Sequence, residues 1–547
     1  MAFVVIDLLQ RGKSKLKIET RIEKPNFENF ISEYLLSCGI ENPKSYIEIE
    51  NINYETPFTY PNMETAVEKL IYHITHRSKI GVLVDMDTDG LLSATIIVRL
   101  LKEHNADFKI VLHTEKAHGL SADVFSKILN EKFDLLIIPD ASTNDANQCQ
   151  ALNTDIIILD HHISEKANEY AIIVNPYLAD EGVKINKCIS GAGVASKFVE
   201  AFCERTATKP LYMKDLVAIS LISDVCDMTY PENRKYFVEG IKNIKNKACQ
   251  SVFAKFAKGE TSYKSIGWQF APRVNALTRI KDGNIVDVLK ALITDEGIKE
   301  CITALKQGYN EQKKQVEKAL AEIEITEYSH SVFGVIPKEY RALSGLIANK
   351  LLGEKNKTVF AVWYNSETDT YLGSMRSAID VYKPLNDSGL CTLQGHEKAS
   401  GAVVPKENIE KINALIAEIC DNADLDVVNV TAHLDVDINA IRLCYLLADL
   451  KDMWANNVKE PTFHFAFTAT KDEIKLYKKR TTTLKIQKGN LTFVKFNCPQ
   501  SLVNAIETAE EYNIELTATL GINEFGDELY LQGTVEKIEL NFSNIAQ

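Results

Sequence analysis

Three runs of consecutive apolar residues, each closed by acidic residues, organise the first half of this chain. They are Ile80–Val84, followed by Asp85-Met86-Asp87-Thr88-Asp89-Gly90; Leu135–Pro139, followed by Asp140; and residues 156–159, followed by Asp160-His161-His162. Unbroken apolar runs of this length read as strands buried on both faces, as in a parallel sheet. Stretches with helical apolar spacing separate them, so the pattern predicts repeated strand–helix–strand units from about residue 56 to 245. Residues 171–174, leading to Asn175-Pro176, extend the series. The helical run 216–225 delivers Asp224 and Asp227, three apart and on one face if the helix continues. In open sheets of this kind ligands sit beyond the carboxyl ends of the strands. The pattern therefore gathers carboxylates and imidazoles along one edge.

Elsewhere the pattern changes. Residues 1–55 form an N-terminal extension with a helical period only over 26–38. Residues 246–325 read as a connecting region ending in a long helical period from roughly 295 to 324. Its many Lys, Glu and Gln residues suit a connector between domains better than a core helix. Residues 326–425 suggest a smaller α/β domain. Over 426–547 the apolar period becomes two, in 462–469, 491–496, 514–520 and 529–536, which predicts short antiparallel strands closed into a small OB-like barrel.

Composition narrows the class. At 547 residues the chain exceeds a single ordinary core, and 45% hydrophobic with 25% charged residues is typical of globular domains. No run is long and apolar enough for a bilayer span, and the N-terminus lacks the features of a signal peptide. The eleven cysteines include no C-x-x-C pair and read as buried small hydrophobes, so a reducing, cytoplasmic setting is expected. A net charge of −13 runs against a uniformly basic nucleic-acid-binding surface and makes the distribution of charge decisive.

The acidic clusters carry the chemistry. Two carboxylates about 4 Å apart repel by roughly 4 kcal/mol at an effective dielectric near 20, so three clusters at one sheet edge call for a cation. Carboxylate and imidazole donors without cysteine suit Mn2+ or Mg2+. Taken alone, Asp87 and Asp89 fit equally well as turn and cap residues for a helix over 91–103. The repeated placement favours the metal.

The ordered set Asp-x-Asp-x-Asp-Gly, a lone Asp after a strand, Asp-His-His, and Ser223-Asp224 near a helix end resembles the DHH phosphoesterase superfamily. Asn175-Pro176 and Ser190-Gly191-Ala192-Gly193 fit its intervening positions. Pro272-Arg273-Val274-Asn275-Ala276 with Arg279 is similar to a signature of the RecJ branch, the single-strand-specific exonucleases. Gly373-Ser374-x-Arg376-Ser377 and Gly395-His396-x-x-Ala399-x-Gly401 resemble the DHH-associated domain. Met86, Ala141-Ser142-Thr143, Gln394 and Leu277-Thr278 depart from the usual motifs without removing a ligand.

The resemblance implies a parallel-sheet catalytic domain, a long helix, a smaller α/β domain and the barrel. It implies two divalent metal ions on Asp87, Asp89, Asp140, His161, His162 and Asp224, with Asp140 bridging. Asp85 and Asp160 would ligate or orient, and together with His161 and His396 complete the catalytic set, His396 touching the scissile phosphate. Arg273, Asn275 and Arg279 would hold the strand, and Ser374, Arg376 and Ser377 a terminal phosphate. The tail adds Lys471, Lys475, Lys478, Lys479, Arg480, Lys485 and Lys488, with Tyr477, Phe493 and Phe496 as stacking faces. The implied activity is a 5′→3′ exonuclease on single-stranded DNA, acting as a monomer in repair or recombination. A single-strand-binding protein or a helicase is the partner class. Two alternatives stay open: a phosphoesterase of short oligonucleotides or cyclic dinucleotides, and an inactive replication scaffold.

Overall fold

The computed structural model describes residues 17–114, 117–164, 168–280, 283–422, 427–478, 481–506, 511–525 and 528–542. They divide into two compact units, one built from Cys38–Lys313 with Asp452–Lys459, the other from residues 314–451 and 460–547 with those preceding Cys38.

The first unit holds a five-stranded parallel sheet. Its strands are β1 (Ile80–Val84), β2 (Phe108–Leu112), β3 (Leu135–Pro139), β4 (Asp155–Leu159) and β5 (Ile172–Val174), in the order β2-β1-β3-β4-β5. Alternate residues bury on opposite faces: Ile80, Val82, Ile137 and Ile157 in one core, Leu83, Leu136, Ile138 and Ile158 in the other. Both faces are thus covered, which is why β1 and β3 read as unbroken apolar runs. This strand order reverses direction between β1 and β3, and in such sheets the reversal opens a crevice at the carboxyl ends. The two acidic segments that follow β1 and β3 therefore meet at the sheet's natural ligand position.

Three helices frame that position. They are α1 (Thr88–Glu103), α2 (Gly191–Thr206) and α3 (Lys214–Ser223). Residues on nearly every side of α1 are buried, so it is a core helix and not an amphipathic surface one. Helix α2 is tied down by Lys197, fully buried with its ammonium 2.7 Å from Glu232 Oε1. Asn186 donates to Glu232 Oε2 at 3.1 Å and the Glu55 amide donates to Oε1 at 2.8 Å, so the buried charge pair is also hydrogen-bonded. A buried pair needs those extra bonds to offset desolvation.

Helix α3 does not continue through Asp227. It stops at Ser223, Asp224 caps it, and Val225 takes a left-handed φ of 58°. Asp224 and Asp227 therefore do not share a helix face. The Asp227 carboxylate instead accepts from the amide and hydroxyl of Thr229 at 2.9 and 2.8 Å, and Asn233 Nδ2 holds its carbonyl at 2.9 Å. Farther along lie the short α4 (Ala271–Leu277) and α5 (Ile298–Glu322), the long helix that starts in the first unit and ends in the second.

The second unit carries a six-stranded sheet of β6 (Glu324–Glu327), β7 (Ser331–Val335), β8 (Thr358–Asn365), β9 (Thr370–Arg376), β10 (Thr392–His396) and β11 (Ala399–Pro405), ordered β10-β11-β9-β8-β7-β6. It also carries a seven-stranded sheet of β12 (Ala432–His433), β13 (Thr462–Thr470), β14 (Ile474–Lys478), β15 (Thr482–Lys488), β16 (Leu491–Lys495), β17 (Glu511–Phe525) and β18 (Glu528–Phe542). Its order is β12-β13-β17-β18-β16-β15-β14, and among the described residues no ladder joins β12 to β14. Closure of the expected OB-like barrel is therefore not seen among the described residues. The strand Lys17–Thr20 pairs in parallel with Val427–Val430, tying residues of the N-terminal extension to this unit. Among the described residues no helix is long and apolar enough to cross a membrane.

Candidate metal centre

The turn after β1 sets the geometry. Asp87 is the N-cap of α1 and accepts from the Gly90 amide at 3.0 Å, so the capping role weighed from sequence is real. Its position one residue before the helix also turns Asp89 inward. Asp89 accepts from the Gly191 and Ala192 amides at 2.8 and 2.9 Å, placing a carboxylate at the N-terminus of α2. Ser93 donates to Asp89 at 3.2 Å, and Ser220 on α3 donates to it as well. One carboxylate thus joins three helices.

Asp140 follows β3 with a left-handed φ of 66°, a conformation that Asp adopts more readily than most residues. Gly191 leaves it room: a Cβ there would lie 2.4 Å from Asp140 Oδ1. After β4, Asp160 accepts five bonds. Oδ1 takes the amides of His161 (2.7 Å) and His162 (3.2 Å) and His162 Nδ1 (2.8 Å), and Oδ2 takes the Thr143 amide (3.1 Å) and hydroxyl (2.6 Å). A carboxylate so occupied orients His162 and leaves the ligand positions to others.

His161 Nε2 lies 3.1 Å from Asp140 Oδ1, 3.6 Å from Asp224 Oδ2 and 3.7 Å from Asp89 Oδ2. None of these approaches has hydrogen-bond geometry, and both Asp140 Oδ1 and His161 Nε2 are buried without a partner. One ring nitrogen carries at most one proton, so three surrounding carboxylates suit a shared cation. Three sets of donors converge within 4.8 Å: Asp85, Asp87 and Asp140; Asp89, His161 and Asp224; Asp140, His161 and His162.

The electrostatics show the strain of that convergence. Burial, then the charges of Asp89, Asp87, Asp85 and Asp224, push the Asp140 carboxyl well above the usual range. Burial and Asp89 raise Asp224 to about 6, and burial with Asp85 and Asp89 raises Asp87. Burial works against ionised Asp160, yet the His162 bond and the neighbouring imidazoles hold it well below the usual value. Burial likewise opposes charge on His162, but the Asp160 bond prevails and carries it up to about 9.

Sequence reasoning missed His118. Its Nδ1 lies 3.1 Å from Asp85 Oδ2, its ring is 5.0 Å from that of His162, and its side chain is 55% exposed. The Gly119 amide donates to Asp85 Oδ1 at 3.2 Å, so this loop fixes Asp85 from the other side. A single histidine in a loop offers no periodicity to find it by. Ser220 was missed too, because a lone serine inside an apolar helical run carries no signal of its partner.

The strand-holding residues divide. Thr88 donates to Asn275 Oδ1 at 2.9 Å, which docks α4 on the metal turn. Arg279 is pushed down by burial but feels the opposite charge of Asp87. Arg273 is held between the rings of Phe256 and Tyr309, 4.4 and 4.5 Å from their centroids, and donates to the Gln269 carbonyl at 2.7 Å. Its Nε is buried without a hydrogen-bond partner.

In the second unit, β9 and β11 bring the two glycine-containing motifs side by side, with Ser374 opposite Gly401 and Arg376 opposite Ala399. Ser374 shares a hydrogen bond with Ser344 at 2.9 Å, and Arg376 Nη1 donates to the carbonyls of Met375 and Ser400 at 2.7 and 3.3 Å. Ser377 is only 3% exposed and its hydroxyl pairs with Thr358 at 2.9 Å, so it supports β9 from inside. The side chain of His396 lies outside the described residues, as do Lys479 and Arg480. In the tail Phe493 is core, stacked on Phe467, whereas Tyr477 and Phe496 are exposed, and Lys488 is paired with Glu473 at 3.0 Å.

Comparison with known proteins places this geometry. The DHH family, N-terminal domain, matches residues 79–222. The chain is 29% identical to the putative SPbeta prophage-derived single-strand DNA-specific exonuclease YorK of Bacillus subtilis, over 93% of this chain and 94% of that protein. It is 24% identical to the single-stranded-DNA-specific exonuclease RecJ of the same species, over 74% of this chain and 54% of RecJ. The crystal structure of RecJ in complex with Mn2+ from Thermus thermophilus shares the fold with a TM-score of 0.73 at 18% identity, covering 97% of this chain and 80% of that one. Residues 79–222 thus match the DHH family, N-terminal domain, and nearly the whole chain is similar to YorK in sequence and to RecJ in fold.

Proposed function

We propose that this protein is a metal-dependent exonuclease that hydrolyses single-stranded DNA in the 5′→3′ direction to 5′-mononucleotides, in repair or recombination. The observation that carries the reading is the pair of buried, unpartnered atoms, Asp140 Oδ1 and His161 Nε2, at the meeting point of three donor sets. The similarity to YorK and RecJ supports the substrate class.

Asp87, Asp89, Asp140, His161, His162 and Asp224 would hold two divalent ions, Mn2+ or Mg2+, the two ions named in solved RecJ structures. Bound there, the ions would offset the carboxylate repulsion, supply positive charge to a scissile phosphodiester and acidify an attacking water. Asp160 fixes the tautomer and orientation of His162, and Asp85 is itself fixed by His118 and Gly119. Asn275 and Arg279 orient the strand beside Asp87. Ser374 and the Arg376 fork would take a terminal phosphate, a geometry guanidinium favours, and His396 would touch the scissile phosphate.

A strand labelled at one end and blocked at the other, offered with each metal, tests the reading. The expected result is stepwise mononucleotide release from a free 5′ end with Mn2+ or Mg2+. Cleavage confined to dinucleotides or cyclic dinucleotides would favour the short-substrate phosphoesterase, and no release with either metal would favour the scaffold.

Metal loading should release protons. His162, held up at about 9, and Asp224, raised to about 6, bind a cation only in their deprotonated forms. Apparent Mn2+ affinity is therefore expected to rise with pH across the range between those values. Calorimetric titration in two buffers of different ionisation enthalpy measures the protons released, and a pH-independent affinity would contradict the assignment.

A further inference from the structure

Trp268 stands out among the three tryptophans of the chain. Trp454 is 1% exposed, whereas Trp268 is 57% exposed. It sits in a single π-helical turn, Ile266–Phe270, between a capping box at Ser262 and helix α4. Such turns re-aim side chains and recur at functional positions. On either side of Trp268 the turn is anchored, since Ile266 and Phe270 are buried and Phe270 packs on Phe253 with ring centroids 5.5 Å apart. The carbonyl of the next residue, Gln269, is fixed by Arg273, itself locked between two aromatic rings. An indole on so constrained a backbone can stack with little further ordering.

The charge around it supplies the second argument. From residue 242 to 279 the chain has eight basic residues and one acidic residue, Glu260, in a protein whose net charge is −13. Lys255 and Lys258 are exposed, and Lys264 lies four positions before Trp268 along the helical run. Positive charge that follows a phosphate backbone, beside an exposed aromatic face, is the combination that binds single strands without regard to sequence. Helix α4, which follows the turn, is the one docked on the metal loop through Thr88 and Asn275.

We propose that Trp268 is a stacking platform for a base of the bound single strand, with the basic segment 242–279 as its electrostatic track. The inference rests on the nucleic-acid reading above. Trp268→Ala should raise KM for a long oligodeoxythymidine about tenfold and leave kcat within about twofold, while Trp268→Phe should restore most of the affinity. Indole emission of the wild-type chain, with metal chelated to stop hydrolysis, should be quenched by the same oligonucleotide, and Trp268→Phe should lose that quench. A strand with an abasic site at the stacked position should bind the wild type and Trp268→Ala equally, which a merely structural role would not produce. If the wild type cuts the strand and Trp268→Ala keeps its KM, the stacking role is wrong and the exonuclease reading stands. A wild type that neither binds nor cuts the strand would sink that reading, and this inference with it.

Discussion

Asp140→Asn should produce two effects of opposite sign. Strand hydrolysis should fall about a thousandfold or more, beyond the 10- to 100-fold typical of mutating groups one step removed from a metal ligand. Thermal stability of the metal-free protein should rise. Asp140 is buried among four carboxylates that push its pKa up, so the folded state disfavours its ionised form. A carboxyl raised in this way contributes stability at low pH and loses it as pH climbs through its folded value. At neutral pH the charge is therefore a burden on the empty fold, and the neutral amide removes it. Asn also takes the left-handed φ of 66° at less cost than Ala. The measurement is the melting temperature with and without Mn2+: the variant should melt higher than wild type without metal and gain little from adding it. A lower metal-free melting temperature combined with an unchanged Mn2+ gain would refute both the charge argument and the ligand role.

How far the sequence exposed this site follows from which features are local. The strands after which Asp85, Asp140 and Asp160 fall were legible because a strand buried on both faces leaves an unbroken apolar run. The order β2-β1-β3-β4-β5 was not, because it depends on pairing between segments that carry no mutual signature. Asp224 stood out beside Ser223, but whether its helix runs on to Asp227 was left open by the pattern, and one left-handed residue, Val225, ends it. The motifs singled out Arg273 and Ser377 but not their surroundings: one guanidinium lies against the rings of Phe256 and Tyr309, and one hydroxyl is paired with Thr358. The period-two tail identified strands correctly, yet periodicity says which residues alternate and not which strands pair, so it could not report that no ladder joins β12 to β14 among the described residues. Contact chemistry that arises from packing, such as His118 on Asp85, leaves no signature in the sequence.

Gly191→Ala is expected to disrupt the candidate metal centre with a single added methyl. Its Cβ would sit 2.4 Å from Asp140 Oδ1 and 2.6 Å from Asp140 Cβ, closer than any real contact allows. Neither neighbour has slack. Asp140 is confined in a left-handed turn at the end of β3, and the Gly191 amide is bonded to Asp89 Oδ2 at 2.8 Å. Relief must move α2 or Asp140, and either motion separates carboxylates that share the candidate cation positions. Hydrolysis should drop about a hundredfold, since misplacement by about 1 Å has that order of effect, and overpacking should cost about 1–3 kcal/mol of stability. Gly353→Ala, inside the helix Ser344–Lys355 with open space where its Cβ would go, is the matched control. There the same substitution should stabilise by up to about 1 kcal/mol through helix propensity and leave hydrolysis untouched. Chemical denaturation and Mn2+-dependent release of nucleotides, measured on both variants, separate the two cases. Wild-type activity in Gly191→Ala would mean that the Asp89–Asp140 spacing has room to spare, and the tight convergence would then lose its claim to explain the chemistry.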